Sequence, residues 1–369
     1  MPNINWNFLL DNLEDRQCIL CVGPDIFTQS GMPRFEHQLA DFLRLHEKDL
    51  NIRVYDNGWF HYLPGHNKSS VWKKLDEFYK QVNPQADTIL SKLACLPFEV
   101  VISFSPDYRL RDIFESKRSD TQFKAFQKNV PCVAEKPSVV KPLIFNLLGE
   151  LKKGNSLVLT YNDFYAYLKS VFDEKSIPEK LAEKIGDAQH FLFLGLPFDQ
   201  WYTHLFMSII NTYVDITKEK DHSIHRIASN PFLKQKEIDR ASEQHDLTFV
   251  GENIADFVDE LYERCRKKGL LVGDSEQPSA SPVSVFDVWR RRMKSGDEEE
   301  IADVLENMAD HTEGSEDDLN TVIHLTGQYN RFLSDKKRGK FATRRAEEAA
   351  QNNIVDGILN TITQFEKHP

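Results

Sequence analysis

The sequence predicts an α/β protein, in which a doubly wound parallel sheet is followed by a small all-α bundle. Three observations predict this fold. Short apolar runs alternate with helical patterns up to about residue 271, a segment rich in Ser, Pro and acidic residues follows, and only helical periods come after it. Strands that are buried on both faces read as continuous apolar runs, which is typical of parallel sheets covered by helices. The length of 369 residues also favours two domains.

The predicted strands of the first domain are apolar runs bounded by turn residues. A helix with Pro33 near its start is predicted over 34–50, and the last helix is predicted over 252–269, where it ends in Lys-Lys-Gly. The strands cover 17–23, 98–105, 142–149, 156–160, 190–197, 223–229 and 247–251.

The boundaries follow from composition. A Rossmann-type domain is predicted over 1–271, a linker over 272–284, and a helical domain of three or four helices over 285–369. Two apolar stripes at helical spacing support the last of these. They comprise Leu319, Val322, Ile323, Tyr329 and Phe332 in one helix, and Ile354, Ile358, Leu359, Ile362 and Phe365 in another.

Charge excludes some partners. With 57 acidic and 46 basic residues the net charge is −11, which argues against a nucleic-acid-coating or anionic-membrane-binding protein. No apolar run approaches the roughly 20 residues that span a bilayer, and no export signal is visible, so we expect a cytoplasmic protein. The lone Cys18-x-x-Cys21 lies in a predicted strand and has no second pair, so buried thiols are favoured over a metal site.

Four stretches place polar residues or glycines where predicted strands end, the edge at which open α/β sheets bind ligands. Each residue also has a structural interpretation, as a turn, a helix cap or a buried hydrogen-bonding group. Asp25, Asp107 and Asp199 are each candidates for capping a helix, and Asn146 is the only polar residue of its run. The candidates are Gly23, Pro24 and Asp25 where the first strand closes, Ser103 and Ser105 on one face of the second strand with Asp107 after it, Asn146 and Gly149 in the third stretch, and Gly195 and Asp199 in the fourth.

Taken in order, these stretches resemble the sirtuin-like family, in its divergent branch from bacterial defence proteins that lacks the zinc module. The resemblance covers about residues 5–267 and is carried by CVGPD, SFSPD, LLG with SLVLTYNDFYAYL, and FLFLGLPFDQW. It implies NAD or an ADP-ribose derivative as the cofactor, bound by Gly23, Pro24, Asp25, Ser103, Gly149, Gly195 and Asp199, with no metal.

The resemblance also implies cleavage of the bond between nicotinamide and ribose, which passes through an oxocarbenium-like state. Asp107 is retained, but the family's Asn position is Ser105 and its His position is Leu148, and leucine cannot accept a proton. Asn146 could orient a ribose. Two hypotheses stay open: an NAD-hydrolysing effector with a rearranged site, and a domain that binds NAD or an ADP-ribose-type ligand without cleaving it.

The segment 285–366 resembles the helical effector-associated domains of bacterial conflict systems, which act as adaptors. Residues 297–318 hold eleven acidic residues and no basic one, whereas 331–345 hold seven basic residues and one acidic one. Opposite patches on one bundle allow copies to contact each other, so a homo-oligomer or a protein with a similar helical domain is the expected partner. The alternatives are a solvated surface, and a sensor whose ligand exposes the adaptor to recruit a separate effector.

Overall fold

The computed structural model describes residues 4–272 and parts of 286–367. It leaves out 30, 82–83, 128–129, 131, 152–155, 173–176, 218–223, 252, 273–285, 287–288, 291, 294–297, 313–314 and 342. The chain divides into two compact units, Met1–Glu276 and Gln277–Pro369. Apart from Val272, the predicted linker at 272–284 lies outside the described residues.

A seven-stranded parallel sheet forms the first unit and confirms the predicted fold class. Its strands are β1 (Cys18–Val22), β4 (Val100–Ser103), β5 (Gln122–Ala125), β6 (Leu143–Asn146), β7 (His190–Leu194), β8 (His225–Ser229) and β9 (Leu247–Phe249). The order across the sheet is β5-β6-β4-β1-β7-β8-β9. From β1 the chain adds β4, passes to the edge strand β5 and returns to β6 between β4 and β5. It then crosses to β7 on the other side of β1, so the switch point lies at the carboxyl ends of β1 and β7.

Three strand assignments differ from the predictions, two in the main sheet and one in a separate two-stranded sheet. The segment 156–160 is not a strand, since in this segment only Thr160 forms a bridge, to Phe60. The edge strand β5 was not predicted, because its QFKA sequence has no apolar run. A short antiparallel hairpin of β2 (Ile52–Val54) and β3 (Phe60–Tyr62) was also not predicted, because three-residue strands give too little alternation to recognise.

Helices cover both faces of the sheet. The predicted helix over 34–50 is broken at His46 into α2 and α3, and Asn51 ends α3 in the left-handed region at φ 50°. Asn253 caps the last helix and Gly269 ends it, close to the predicted ends. The helices are α1 (Trp6–Glu14), α2 (Phe35–Leu45), α3 (Glu47–Leu50), α4 (Lys68–Tyr79), α5 (Pro84–Ala94), α6 (Arg109–Lys117), α7 (Tyr161–Phe172), α8 (Glu179–Asp187), α9 (Trp201–Thr217), α10 (Gln235–His245) and α11 (Ile254–Lys268).

Alternate residues of each strand enter two different cores. In β1, Ile19 and Cys21 pack into one apolar cluster, whereas Cys18, Leu20 and Val22 pack into the cluster on the other face. The two thiols therefore point to opposite sides, and burial raises the pKa of Cys21. This arrangement agrees with the interpretation of Cys18 and Cys21 as buried thiols.

The second unit contains three long helices in its described part, α12 (Glu298–His311), α13 (Glu316–Lys337) and α14 (Arg344–Lys367). Both predicted apolar stripes contribute to one core, although Leu319 and Ile323 remain exposed. The Tyr329 hydroxyl donates to the Glu298 carbonyl oxygen at 2.8 Å, which ties α13 to the start of α12. Within the described residues of the whole chain, no helix has the length and apolar character needed to cross a membrane.

Candidate functional site

The turns after β1 and β7 are in direct backbone contact. The Gly23 amide donates to the Leu194 carbonyl oxygen at 2.8 Å, and the Asp25 amide donates to the Gly195 carbonyl oxygen at 3.1 Å. A Cβ atom on Gly23 would lie 2.2 Å from the Gly195 carbonyl oxygen. Because Pro24 has no N–H group, the turn has few free amides. Gly23 and Gly195 must both be glycine for the two turns to approach this closely, since a Cβ atom on either one would meet the backbone of the other turn.

Asp25 and Asp199 are joined by a side chain that the sequence did not single out. Arg34 precedes α2 and donates to Asp25 Oδ2 through Nη2 and to Asp199 Oδ2 through Nη1, both at 2.8 Å. A third carboxylate, Glu36, lies 3.6 Å from Nη1. Asp199 was predicted to cap the following helix, but that helix begins at Trp201 and the carboxylate instead accepts from Arg34 and Gln200.

The side chains of Gln200 and Asn230 complete this arrangement, which we call the Arg34 cluster: Asp25, Arg34, Glu36, Asp199, Gln200 and Asn230. Asn230, just after β8, donates to Asp25 Oδ2 at 2.9 Å, and Gln200 donates to Glu36 Oε1 at 3.3 Å. Burial raises the pKa of Glu36 from 4.5 to about 7, although the charge of Arg34 lowers it. The cluster therefore holds one guanidinium and three carboxylates, one of which titrates near neutrality.

The second group of candidates lies after β4. The strand ends at Ser103, so Ser105 belongs to the turn and not to the strand face on which it was predicted. Ser103 Oγ accepts the Ser105 amide and donates to the Ser105 carbonyl oxygen, both at 3.1 Å. The Ser105 hydroxyl donates to Asp107 Oδ2, and Asp107 Oδ1 accepts the amide of Arg109, the first residue of α6, at 2.7 Å. Asp107 was predicted to cap this helix, but the N-cap position is occupied by Tyr108.

Asn146 at the end of β6 joins this second group. Its Nδ2 donates to the Asp107 carbonyl oxygen at 3.0 Å. Its Oδ1 is buried and accepts no hydrogen bond from the residues the structure describes. We call Ser105, Asp107 and Asn146 the Asp107 group.

A cavity of about 180 Å³ opens beside Asp107. Burial raises the pKa of Asp107 above its ordinary value, against the hydrogen bonds from Ser105 and Arg109. The cavity also touches Phe27 and Phe35, but none of its lining residues belongs to the Arg34 cluster. Its lining comprises Phe27, Gln29, Met32, Phe35, Gln38, Phe78, Tyr79, Gln81, Asp107 and Arg109.

The surroundings of Leu148 are apolar. Leu148 lines a hollow of only about 10 Å³ together with Phe104, Phe164, Tyr167 and other hydrophobic side chains. Gly149 takes a left-handed conformation at φ 82°, and a Cβ there would lie 2.1 Å from the Ser156 carbonyl oxygen. Gly149 is therefore required by the turn itself. Among the described residues that line this hollow, none carries an imidazole or a carboxylate.

The sequence pattern pointed to the aspartates but not to Arg34, Glu36, Gln200 and Asn230. No local spacing connects them, because Arg34 lies 9 and 165 positions from the two aspartates it bridges. Nor does any set of three His, Cys, Asp and Glu side chains have metal-binding geometry in the described ranges. The predicted residues thus form two groups at one sheet edge, and their roles as ligand contacts stay predictions.

Comparison with known families supports part of the resemblance. Residues 100–250 match the family model of the SIR2-like domain. Over this segment the chain is similar to the SIR2-like domain. The matched segment includes Asp107 and Asn146 and ends beyond β9. No protein with a curated functional description matches the sequence.

Solved Sir2 structures match at low similarity. One, from work on the mechanism and regulation of Sir2 enzymes, is 9% identical with a TM-score of 0.38, covering 72% of this chain and 98% of its own. Another, Sir2 with an inhibitor, 2′-O-acetyl-ADP-ribose and a deacetylated peptide, is 13% identical with a TM-score of 0.34, covering 72% and 99%. The likeness to the SIR2-like domain therefore depends on the match over 100–250, and the observed sheet agrees with it.

Proposed function

We propose that the first unit binds NAD or an ADP-ribose-type nucleotide at the carboxyl edge of its sheet and does not turn it over efficiently. The observation that carries this proposal is the buried Asp107 carboxylate, which faces a cavity at the strand edge, while the described lining of the Leu148 hollow holds no imidazole or carboxylate. The match to the SIR2-like domain supports the ligand class.

The Asp107 group has the donors and acceptors for one end of such a ligand. A carboxamide such as that of nicotinamide presents two N–H donors, and the Asp107 carboxylate is an acceptor in a partly apolar cavity with Phe27 and Tyr79. The unpartnered Asn146 Oδ1 can accept a ribose hydroxyl. Buried polar atoms are ordinarily hydrogen-bonded, so an orphaned acceptor on a side chain that is bonded to the Asp107 backbone is consistent with a missing ligand contact.

Slow turnover follows from the residues around Leu148. Breaking the bond between nicotinamide and ribose develops positive charge on the ribose, and a water or hydroxyl must lose a proton as it attacks. Leucine cannot take that proton, and Ser105 already donates its hydroxyl hydrogen to Asp107. Proton transfer by a positioned base contributes typically about 10²–10⁴-fold, which sets the scale of the expected loss.

The test is a pair of measurements on the purified chain. Titration calorimetry with NAD and with ADP-ribose measures binding, and chromatography of chain incubated with NAD measures free nicotinamide. We expect Asp107→Ala to weaken the binding of NAD, whose carboxamide is the proposed partner of that carboxylate. We also expect nicotinamide release below about one per minute, far under typical enzyme rates. Leu148→His, which introduces an imidazole, is the variant that we expect to release nicotinamide faster than the wild type. Failure of both NAD and ADP-ribose to bind would refute the proposal.

NAD hydrolysis is the second candidate function, and one observation favours it. Burial raises the pKa of Asp107, so this carboxyl group is a stronger base than an exposed aspartate and lies in hydrogen-bond contact with the Ser105 hydroxyl. On this hypothesis Asp107 would deprotonate the attacking group. Release of nicotinamide faster than about one per minute, abolished by Asp107→Asn but retained in Asp112→Asn, would establish it in place of the first proposal.

We further propose that the second unit assembles copies of the chain, and that the protein acts in a bacterial antiphage system. Leu319 and Ile323 are exposed on α13 and lie one turn apart, which is consistent with a contact surface. Part of the segregated charge is already used within the unit, since Lys336 pairs with Glu298 and Glu347 at 2.7 Å. We therefore infer that the apolar face of α13, more than Lys336, drives association.

Light scattering of the full chain tests this assembly. Ile323→Asp should reduce the oligomer to monomer, whereas Thr321→Asp, an exposed position on the same helix, should leave it unchanged. A monomeric wild-type chain at micromolar concentration would refute self-assembly and favour the alternative, a sensor or scaffold that recruits a separate effector. Plaque counts on bacteria that express the chain with its neighbouring genes test the antiphage role, and unchanged counts would refute it.

A further inference from the structure

An exposed row of residues, which we call the α13 ridge, runs along α13 in the second unit. Leu319, Ile323, Gly327 and Arg331 follow one another at intervals of four residues, so they form a continuous row on the helix surface. All four residues are exposed, with Leu319 at 37% and Ile323 at 57%. The ridge therefore presents two apolar side chains, a glycine and a cation.

Gly327 is not required by the packing of its own chain. Glycine weakens the interior of a helix relative to alanine, and a Cβ atom on Gly327 would meet no atom within 4 Å in the described part of the chain. Helices commonly pack by fitting rows of this four-residue spacing into the grooves of a neighbouring helix. A glycine in the row leaves a notch, where a side chain of another helix can approach the backbone closely. The ridge thus has a projecting Ile323 next to a notch at Gly327.

The charges at the two ends of the ridge indicate which partner fits it. Asp317 lies just before the ridge and Arg331 at its end, and both are exposed without an ion-pair partner among the described residues. A second α13 lying antiparallel, with a two-fold axis midway between Ile323 and Gly327, places these two residues of each copy opposite one another. The same axis sets Arg331 level with Leu319 of the other copy, about 3 Å along the helix from Asp317. The surface is therefore complementary to itself in shape and charge, as a two-fold contact requires.

We infer that the partner of the α13 ridge is the same ridge in a second copy of the chain, bound antiparallel across a two-fold axis. This inference rests on the proposed assembly of copies and specifies its contact surface. Ile323 of each copy fills the notch at Gly327 of the other. The aliphatic stem of Arg331 covers Leu319 of the other copy, and its guanidinium pairs with Asp317 there. Both copies use the same surface, so this contact joins two chains and does not propagate.

Sedimentation velocity of the full chain over a range of concentrations tests the notch. Gly327→Leu fills it, so the Kd of association should rise at least about 10-fold, the scale of overpacking a close contact. Gln328→Leu places a leucine at the next exposed position, off the ridge, and should change the Kd by less than about threefold.

An exchange of charges tests the antiparallel direction in the same assay. Asp317→Arg and Arg331→Asp should each raise the Kd about 10-fold, because like charges then face each other across the contact. The double variant should restore the wild-type Kd, since the pair forms again with its signs exchanged. In a parallel contact each position faces itself, so neither single variant would weaken association and the double variant would have nothing to restore.

The outcomes separate the inference from the proposed assembly. A wild-type chain that stays monomeric at micromolar concentration refutes the assembly, and the inference fails with it. A chain that associates but is unaffected by Gly327→Leu, or whose double charge variant does not regain affinity, overturns the inference while assembly stands. Thermal melts show that each variant folds. Gly327→Ala is the second variant if Gly327→Leu does not fold, and it should raise the melting temperature while weakening association.

Discussion

Glu36 gives the sharpest prediction about how the site affects stability. Its carboxyl group is buried beside Arg34, and its pKa rises from 4.5 to about 7. A folded-state pKa above the unfolded value means that the protonated form stabilises the fold. That stability is fully present below about pH 4.5 and is lost as pH rises through about 7.

The magnitude follows from the two pKa values. Each pH unit between them removes about 1.4 kcal/mol of unfolding free energy, so the total loss approaches about 3 kcal/mol, an order-of-magnitude figure. Glu36→Gln mimics the protonated state and keeps an oxygen that can accept the Gln200 hydrogen bond. The variant should match the wild type near pH 4 and exceed it by about 3 kcal/mol at pH 8. For a unit of this size that is roughly 6–12 °C in melting temperature.

Thermal melts of the wild type and Glu36→Gln across this pH range provide the assay, with Asp41→Asn as the matched control on the same helix. The quantity that decides is the difference in melting temperature between variant and wild type, not either melting temperature alone. A difference that stays constant from pH 4 to pH 8 would refute the reasoning, because Glu36 would then titrate with an ordinary pKa. A variant that loses stability at every pH would show that the ionised carboxylate stabilises the cluster.

Three further predictions concern other sites in the first unit. Gly23→Ala should destabilise the fold by more than about 3 kcal/mol in urea unfolding, because its Cβ would lie 2.2 Å from a backbone oxygen of Gly195; an unchanged midpoint would contradict the contact. Arg118 donates to three buried carbonyl oxygens. Arg118→Met should therefore lower the free energy of unfolding by roughly 3–5 kcal/mol in the same assay. A decrease below about 1 kcal/mol would mean that water replaces the guanidinium. Leu148→His should raise nicotinamide release by about 10²-fold or more if the missing base limits turnover; unchanged release from a folded variant would place the block elsewhere.

Much of the fold could be predicted because the sheet is buried on both faces. Continuous apolar runs located six of the seven strands of the main sheet, and the Asn253 and Gly269 caps set the ends of α11. The edge strand at Gln122–Ala125 was not predicted, since an edge strand needs no apolar run. The segment 156–160 shows the opposite error, because apolar residues there fill a core next to the β2–β3 hairpin without pairing in the main sheet.

Residues of the site could be predicted only where they lie at the end of a strand that the sequence reveals. Asp107, Ser105 and Asn146 lie at the ends of adjacent parallel strands, so the rule that ligands bind at the carboxyl edge was enough to select them. Arg34 and Glu36 gave no signal, because their partners come from distant turns. The exposed Leu319 and Ile323 were likewise assigned to a core stripe, since helical periodicity does not say which neighbours a helix has.

The sequence by itself located six of the seven strands of the main sheet along the chain and predicted a linker over 272–284, because these depend on local patterns and on residue identity. Only the tertiary structure decided that Asp25 and Asp199 share one guanidinium and that Gly23 and Gly195 are pressed together. It also decided that Glu36 titrates near neutrality. Charge pairing and burial depend on distances between segments far apart in the chain, and no sequence pattern records those distances.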